Sequence, residues 1–149
     1  MNLRQELLQT CREYVKNRIN LIDNAIGDLE ESLKLETKCS MGDKYETSRA
    51  MLHLEFEKFS AQREEFQKMA NVLERIRSLR GTQKAALGSI VRTTSGNFFV
   101  AIPAGRIVIG HEEFMAIGPG APIFQAMKGK EAGEVASFRD KTMRLISVE

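Results

Sequence analysis

The sequence predicts an α+β protein: a long antiparallel coiled-coil hairpin over residues 1–80, then a small β-rich domain over residues 81–149. Three observations carry this. Apolar side chains in the first half recur at helical intervals, a glycine-containing break near residue 42 divides that half in two, and from Gly88 β-branched runs alternate with turn residues. Composition agrees with a folded chain, since 28% charged and 42% apolar residues are globular proportions. A length of 149 residues suffices for one ordinary domain or two small ones.

The first arm rests on Val15, Ile19, Ile22, Ile26, Leu29 and Leu33, whose spacing alternates four and three as in a coiled-coil seam. Leu3, Leu7 and Cys11 extend it upstream, so Cys11 reads as a small core residue. No proline precedes Pro103, and Gly27 is the only glycine before Gly42. After the break, Leu52, Phe56, Phe59, Phe66, Ala70 and Leu73 repeat at helical spacing, with Arg63 in the place between Phe59 and Phe66. This predicts a second helix over roughly 43–80, its phenylalanines facing the seam. Two such helices with a short connection pack as an antiparallel pair. Thirty-odd residues at about 1.5 Å each make a rod of about 50 Å.

In the second half, "SIVRTT" and "NFFVAI" flank Ser95-Gly96 as a hairpin, and "RIVIG" and "EEFMAIG" follow as strands. "APIFQAMKG" reads as a short helix, and "GEVASF" and "TMRLISV" as closing strands. The expected core is Ile90, Val91, Phe99, Ile102, Val108, Ile117, Val135 and Ile146.

The bulk numbers exclude several classes. A net charge of +2 does not imply a broad nucleic-acid-binding face. Two cysteines are too few for a disulfide scaffold. The N-terminal stretch lacks an apolar core of signal-peptide type, and no apolar run approaches the roughly 20 residues a bilayer requires. The expectation is a reduced, cytoplasmic protein with no membrane partner. Cys11, Cys39, His53 and His111 show no CxxC or HxxxH spacing, so no metal or Cys–His site of its own is expected. Gly118-Pro119-Gly120 and Gly129-x-x-x-Gly133 lack the Gly-Lys-Ser/Thr context of phosphate loops and read as turns.

The informative chemistry lies at the break. Asp43 and Glu46 are three apart, and on a helix such residues share one face with Cβ atoms about 5–6 Å apart. Two carboxylates so placed are either ordinary residues of a helix start or groups held out for use. Ser40-x-x-Asp43 is equally a capping pattern, and a capped helix start is also a rigid one. Arg75, Arg77, Arg80 and Lys84 form a basic cluster near the midpoint, either a solvated helix end or a contact for an acidic surface or RNA phosphates.

Two motifs resemble those of one family. The segment from Pro122-Ile123 through Ala126-Met127, Gly129-Lys130 and Gly133-Glu134-Val135 is similar to the C-terminal signature of the bacterial Gre transcription elongation factors. Gly42-Asp43-Lys44-Tyr45-Glu46 resembles the Gly-Asp-x-x-Glu at the tip of the Gre coiled coil, and the order of elements matches as well. The resemblance implies an FKBP-like C-terminal domain that docks on RNA polymerase, with Pro122 and Ile123, and the basic residues Arg75, Arg77 and Arg80, facing the polymerase. It implies a hairpin, tip near 39–47, that enters the secondary channel and stimulates cleavage of backtracked RNA. The protein would then be no enzyme itself: Asp43 and Glu46 would hold the second Mg²⁺ of the polymerase site, near the RNA 3′ end, in a monomeric factor without a cofactor of its own. After the acidic pair this chain has Thr47-Ser48-Arg49-Ala50 where the family usually has Asn-Ala-Glu-Tyr, and Gly120-Ala121 replaces an acidic residue and serine before Pro122. Two alternatives stay open: a secondary-channel regulator or inhibitor without cleavage activity, and an FKBP-like proline isomerase or chaperone with a coiled-coil arm.

Overall fold

The structure is a computed structural model, describing the backbone of residues 1–38 and 42–149 and the side chains of residues 1–36 and 47–149. Two long helices, α1 (Leu3–Lys38) and α2 (Gly42–Ser78), precede a six-stranded mixed sheet. Its strands are β1 (Ile90–Thr93), β2 (Gly96–Val100), β3 (Gly105–Ile109), β4 (Glu112–Ile117), β5 (Val135–Phe138) and β6 (Lys141–Val148), with a short helix α3 (Pro122–Met127) between β4 and β5. No described helix is long and apolar enough to cross a membrane.

The helices form an antiparallel hairpin. Arg12 pairs with Glu74 and Asp23 with Arg63, so a rising number on α1 meets a falling number on α2. The start of α1 is fixed by a reciprocal cap: Gln5 N–H donates to Asn2 Oδ1 at 2.9 Å, and Asn2 N–H donates to Gln5 Oε1 at 3.0 Å. Each bond satisfies a donor that the first helical turn leaves unpaired. α2 ends in Arg75 and Arg77, whose charge suits the negative end of the helix dipole.

The chain divides into two compact units, Val15–Met69 and Met1–Tyr14 with Ala70–Glu149. The sequence-based boundary at 80/81 therefore differs from this partition, because the outer turns of both helices belong with the sheet. Their apolar faces give the reason: Leu7, Leu8, Cys11, Leu73 and Ile76 are all buried there.

Within the unit Val15–Met69 the predicted seam is observed. Val15, Ile22 and Leu29 are buried, and Ile19, Ile26, Leu33, Leu52, Phe56, Phe59 and Phe66 are half-buried. Arg63 occupies its seam position by turning its guanidinium to Asp23, with Nε donating to Oδ1 at 2.7 Å. This pair raises the Arg63 pKa further above its ordinary value. A charge in an apolar seam needs a partner at one height only, so the pair favours a single register.

The sheet order is β3-β4-β2-β1-β6-β5, antiparallel throughout except for the parallel pair β2–β4. One face packs under α3: Val91, Phe98, Val100, Ile117, Met143 and Leu145 join Phe124 and Met127 in a buried cluster. The opposite face buries Ile90, Phe99, Ile107, Phe114 and Ala116. Strands buried on both faces explain why "FFVAI" is a continuous apolar run and not an alternating one.

Three expected core residues are corrected. Val108, Val135 and Ile146 are exposed, while their neighbours Ile107, Ala136 and Leu145 are buried. Successive strand residues point to opposite faces, so an error of one position selects the wrong side chain. At Ile146 the cause is visible. Arg92 pairs with Ser147 and Thr93 with Leu145, leaving Ile146 as an extra residue on β6. This bulge changes which parity faces the core: Met143 and Leu145 before it, Val148 after it.

Arg92 fastens the opposite face. Its Nε and Nη2 donate to the two carboxylate oxygens of Glu112 at 2.9 and 3.1 Å, and its Nη1 donates to Glu149. The guanidinium also lies 5.7 Å from the centre of the Phe114 ring. Since β2 lies between β1 and β4, one side chain spans three strands. The contact holds the Glu112 pKa below its ordinary value, chiefly through the hydrogen bond from Arg92. A depressed carboxyl pKa stabilises the fold above the unfolded value of about 4.3 and stops doing so as pH falls through the folded value. The melting-temperature advantage of wild type over Glu112→Gln should therefore be largest near neutral pH and shrink toward pH 3. An advantage independent of pH would contradict the assignment.

Candidate functional site

The helical hairpin places the two carboxylates of interest by sequence position alone. Asp43 and Glu46 lie in the first turn of α2, and their side chains are outside the described residues. Cys39, the Ser40 capping position and the 39–47 tip motif through Glu46 fall in the same category. What the fold contributes is the frame: a helix of 37 residues begins at Gly42, opposite a partner helix of 36 residues. At about 1.5 Å per residue, α2 is about 55 Å long.

The segment that begins at Pro122 can be described atom by atom. Pro122 is exposed and opens α3 at a position where its missing N–H is harmless. Ile123 is half-buried against the cluster beneath the helix. Gln125 Nε2 donates to the Pro119 carbonyl at 2.7 Å, closing the turn before the helix. The rest of the motif stitches elements together. Gly129 N–H donates to the Ala85 carbonyl, and Ala85 N–H donates to the Lys130 carbonyl, both at 2.8 Å. Gly133 N–H donates to Leu145 O at 2.7 Å, and Leu145 N–H returns a bond to Glu134 O at 2.9 Å. Gly129 and Gly133 have φ of 77° and 92°, the positive values expected of them and unfavourable for other residues. Thus most of the motif holds α3 between the segment before β1 and strand β6. Pro122 is left at the surface, with Ile123 partly accessible beside it.

Arg75, Arg77 and Arg80 are all exposed. They do not act as one group: Arg77 Nη1 lies 3.7 Å from Glu74, whose other oxygen lies 3.9 Å from Arg12 Nη2 on α1. Sequence reading grouped Arg77 with its neighbours in the chain and missed Arg4 and Arg12. The available signal was the antiparallel pairing of the helices, which brings the first turns of α1 beside the last turns of α2. The linker follows the same path. Arg4 Nη2 donates to Glu149 O at 3.0 Å, and a Cβ at Gly81 would stand 3.2 Å from that Arg4 atom and 3.3 Å from Glu149 C.

The remaining candidates separate clearly. His53 and His111 are exposed, His111 in the turn between β3 and β4. Among the described residues, no cluster of three or more His, Cys, Asp or Glu is arranged to hold a metal ion. Cys11 is fully buried, and burial pushes its thiol up to about 12. A thiolate is the reactive form, so this side chain is inert in the folded protein. In a Cys39→Ser background, alkylation of the remaining thiol at pH 7.5 should be at least about a thousandfold slower than in denaturant. Rapid modification of native protein would overturn that placement.

No protein-family model matches this chain, and no curated protein matches it either.

Proposed function

We propose that this protein binds RNA polymerase, inserts its helical hairpin into the secondary channel and stimulates cleavage of backtracked RNA. The observation that carries the reading is the position of Asp43 and Glu46: three residues apart, in the first turn of a long helix paired with another of similar length. The resemblance of the Gly42–Glu46 and Pro122–Val135 motifs to the Gre factors supplies the partner. On this reading the sheet with α3 packed across it is an FKBP-like docking domain, which meets the polymerase through Pro122 and Ile123.

The chemistry follows from what two-metal phosphodiester hydrolysis needs. One cation activates the attacking water and the other stabilises the leaving oxygen. Asp43 and Glu46 would hold the second Mg²⁺ at the polymerase site and orient its water. Neither carboxylate binds Mg²⁺ tightly alone, since this ion is reluctant to lose its waters. The protein is accordingly a factor that completes another machine's active site, without a catalytic centre of its own.

The proline-isomerase reading needs an open aromatic wall. The pocket lined by Asn97, Phe98, Arg106, Glu113, Phe114 and Met115 encloses about 250 Å³, but Phe98 and Phe114 are 8% and 1% exposed. Their rings are core, which speaks against an open aromatic wall at this pocket. The non-cleaving regulator keeps one specific support: Lys44 and Arg49 bring positive charge to the sequence around the carboxylates.

The deciding experiment adds the protein to backtracked polymerase with Mg²⁺ and follows RNA length. Accelerated shortening supports cleavage. Binding with suppressed synthesis and no shortening selects the regulator, and failure to bind polymerase rejects both.

A further inference from the structure

We propose that the groove between the first turns of α1 and the last turns of α2 docks an acidic polypeptide segment of a partner protein. The groove encloses about 590 Å³ and is lined by Arg4, Gln5, Leu8, Gln9, Arg12 and Arg77, with the first two residues of the chain at its edge. All of these residues belong to the unit formed by Met1–Tyr14 and Ala70–Glu149. The inference goes beyond the cleavage reading and does not depend on it.

Charge is the first argument. Three guanidinium groups line the groove, and the carboxylate paired with two of them is Glu74, at 3.9 Å from Arg12 and 3.7 Å from Arg77. Both distances exceed hydrogen-bond length, so one negative group is shared loosely between two positive ones. Arg4 turns its guanidinium to the Leu79 and Glu149 main-chain oxygens, which orient it. Arg12 Nε is buried and has no hydrogen-bond partner, an unspent donor on a guanidinium that lines the groove. Glu13 accepts a bond from Gln9 Nε2 at 3.3 Å.

The second argument selects the occupant. Guanidinium forks bind carboxylates and phosphates bidentately, so both chemistries satisfy the charge. Single-stranded nucleic acid also draws affinity from stacking on aromatic rings. Among the described residues, no aromatic side chain lines this groove. It offers instead side-chain amides, which hydrogen-bond a peptide backbone, and the edge of Leu8. Its volume is that of a compact pocket and not of a track for a long polymer. Aspartate or glutamate side chains on a short peptide fit these features together.

The test uses fluorescence anisotropy with a labelled ten-residue peptide rich in Asp and Glu. A lysine-rich peptide, inorganic phosphate and a ten-nucleotide thymidine strand serve as comparisons. Arg12→Gln with Arg77→Gln should weaken binding of the acidic peptide at least tenfold. Arg75→Gln with Arg80→Gln removes the same charge outside the groove and should change it less than twofold. Circular dichroism keeps folding separate from binding, and Arg12→Lys with Arg77→Lys preserves the charge if the glutamine pair fails to fold; it should lose affinity through loss of the forks. Equal weakening in both glutamine pairs would reduce the effect to the general field and overturn the proposal. So would an absence of peptide binding, or tighter binding of the thymidine strand with the same mutational profile.

Discussion

On the proposed cleavage reading, replacing Asp43 with Asn, or Glu46 with Gln, should lower factor-stimulated RNA cleavage by about 100-fold while leaving affinity for polymerase within about threefold. A hundredfold in rate corresponds to about 2.7 kcal/mol of transition-state stabilisation, a reasonable share for a group that positions a catalytic metal. The substitutions preserve size and remove charge, so they separate metal holding from insertion of the hairpin. Raising Mg²⁺ should recover part of the lost rate in each single variant, because the remaining carboxylate still contributes a ligand. In the double variant, recovery should be minimal. Equal cleavage by wild type and both variants would mean the residues serve only to start α2. That outcome is physically coherent, since acidic side chains in a first turn favour a helix by about 0.3–1 kcal/mol. Helical content measured alongside cleavage distinguishes the two: capping loss changes the former, metal loss the latter.

Phe99→Ala should be the most damaging single change in the sheet, lowering stability by about 3–5 kcal/mol. Phe99 is fully buried, on the face away from α3, between Ile90 on β1 and Ala116 on β4. Removing the ring loses its burial and leaves a cavity whose neighbours are held by the strand ladders and cannot close over it. Domains of this size have a total stability of about 5–15 kcal/mol, so the variant should approach the unfolding threshold at 37 °C. Urea denaturation followed by far-ultraviolet circular dichroism measures the change. A loss below about 1 kcal/mol would mean that Phe99 does not lie in a close-packed core. Phe138→Ala offers the contrast: its ring is half-buried, 5.1 Å from the Arg139 guanidinium, and its removal should cost much less.

The hairpin was legible from spacing because a helix repeats its buried face every 3.6 residues over many turns. One misread position does not move a seam that runs from Leu3 to Leu33. The sheet offered less redundancy. Where apolar residues stand at consecutive positions of a strand that buries one face, as in β3, β5 and β6, hydrophobicity does not say which side chain faces the core. Val108, Val135 and Ile146 were misassigned for that reason, and the bulge at Ile146 has no local signal in "RLISV". The reciprocal Asn2–Gln5 cap lies in "NLRQ", where a polar pair three apart and no apolar periodicity marks the helix start.

By itself, the sequence determined the class of the protein, the two arms of the hairpin, the strand-rich second half and the spacing of Asp43 and Glu46. These follow from periodicity and chemistry within a few residues of chain. Only the tertiary structure decided that Arg63 faces Asp23, that Arg92 ties β1 to β4 and to Glu149 just after β6, and that Arg12 joins Arg77 around Glu74. Each joins groups at least 20 residues apart, with the single exception of the Arg77–Glu74 contact that completes the third set. Charged side chains find partners through space, and their pairing depends on the register of whole elements, which no local pattern encodes.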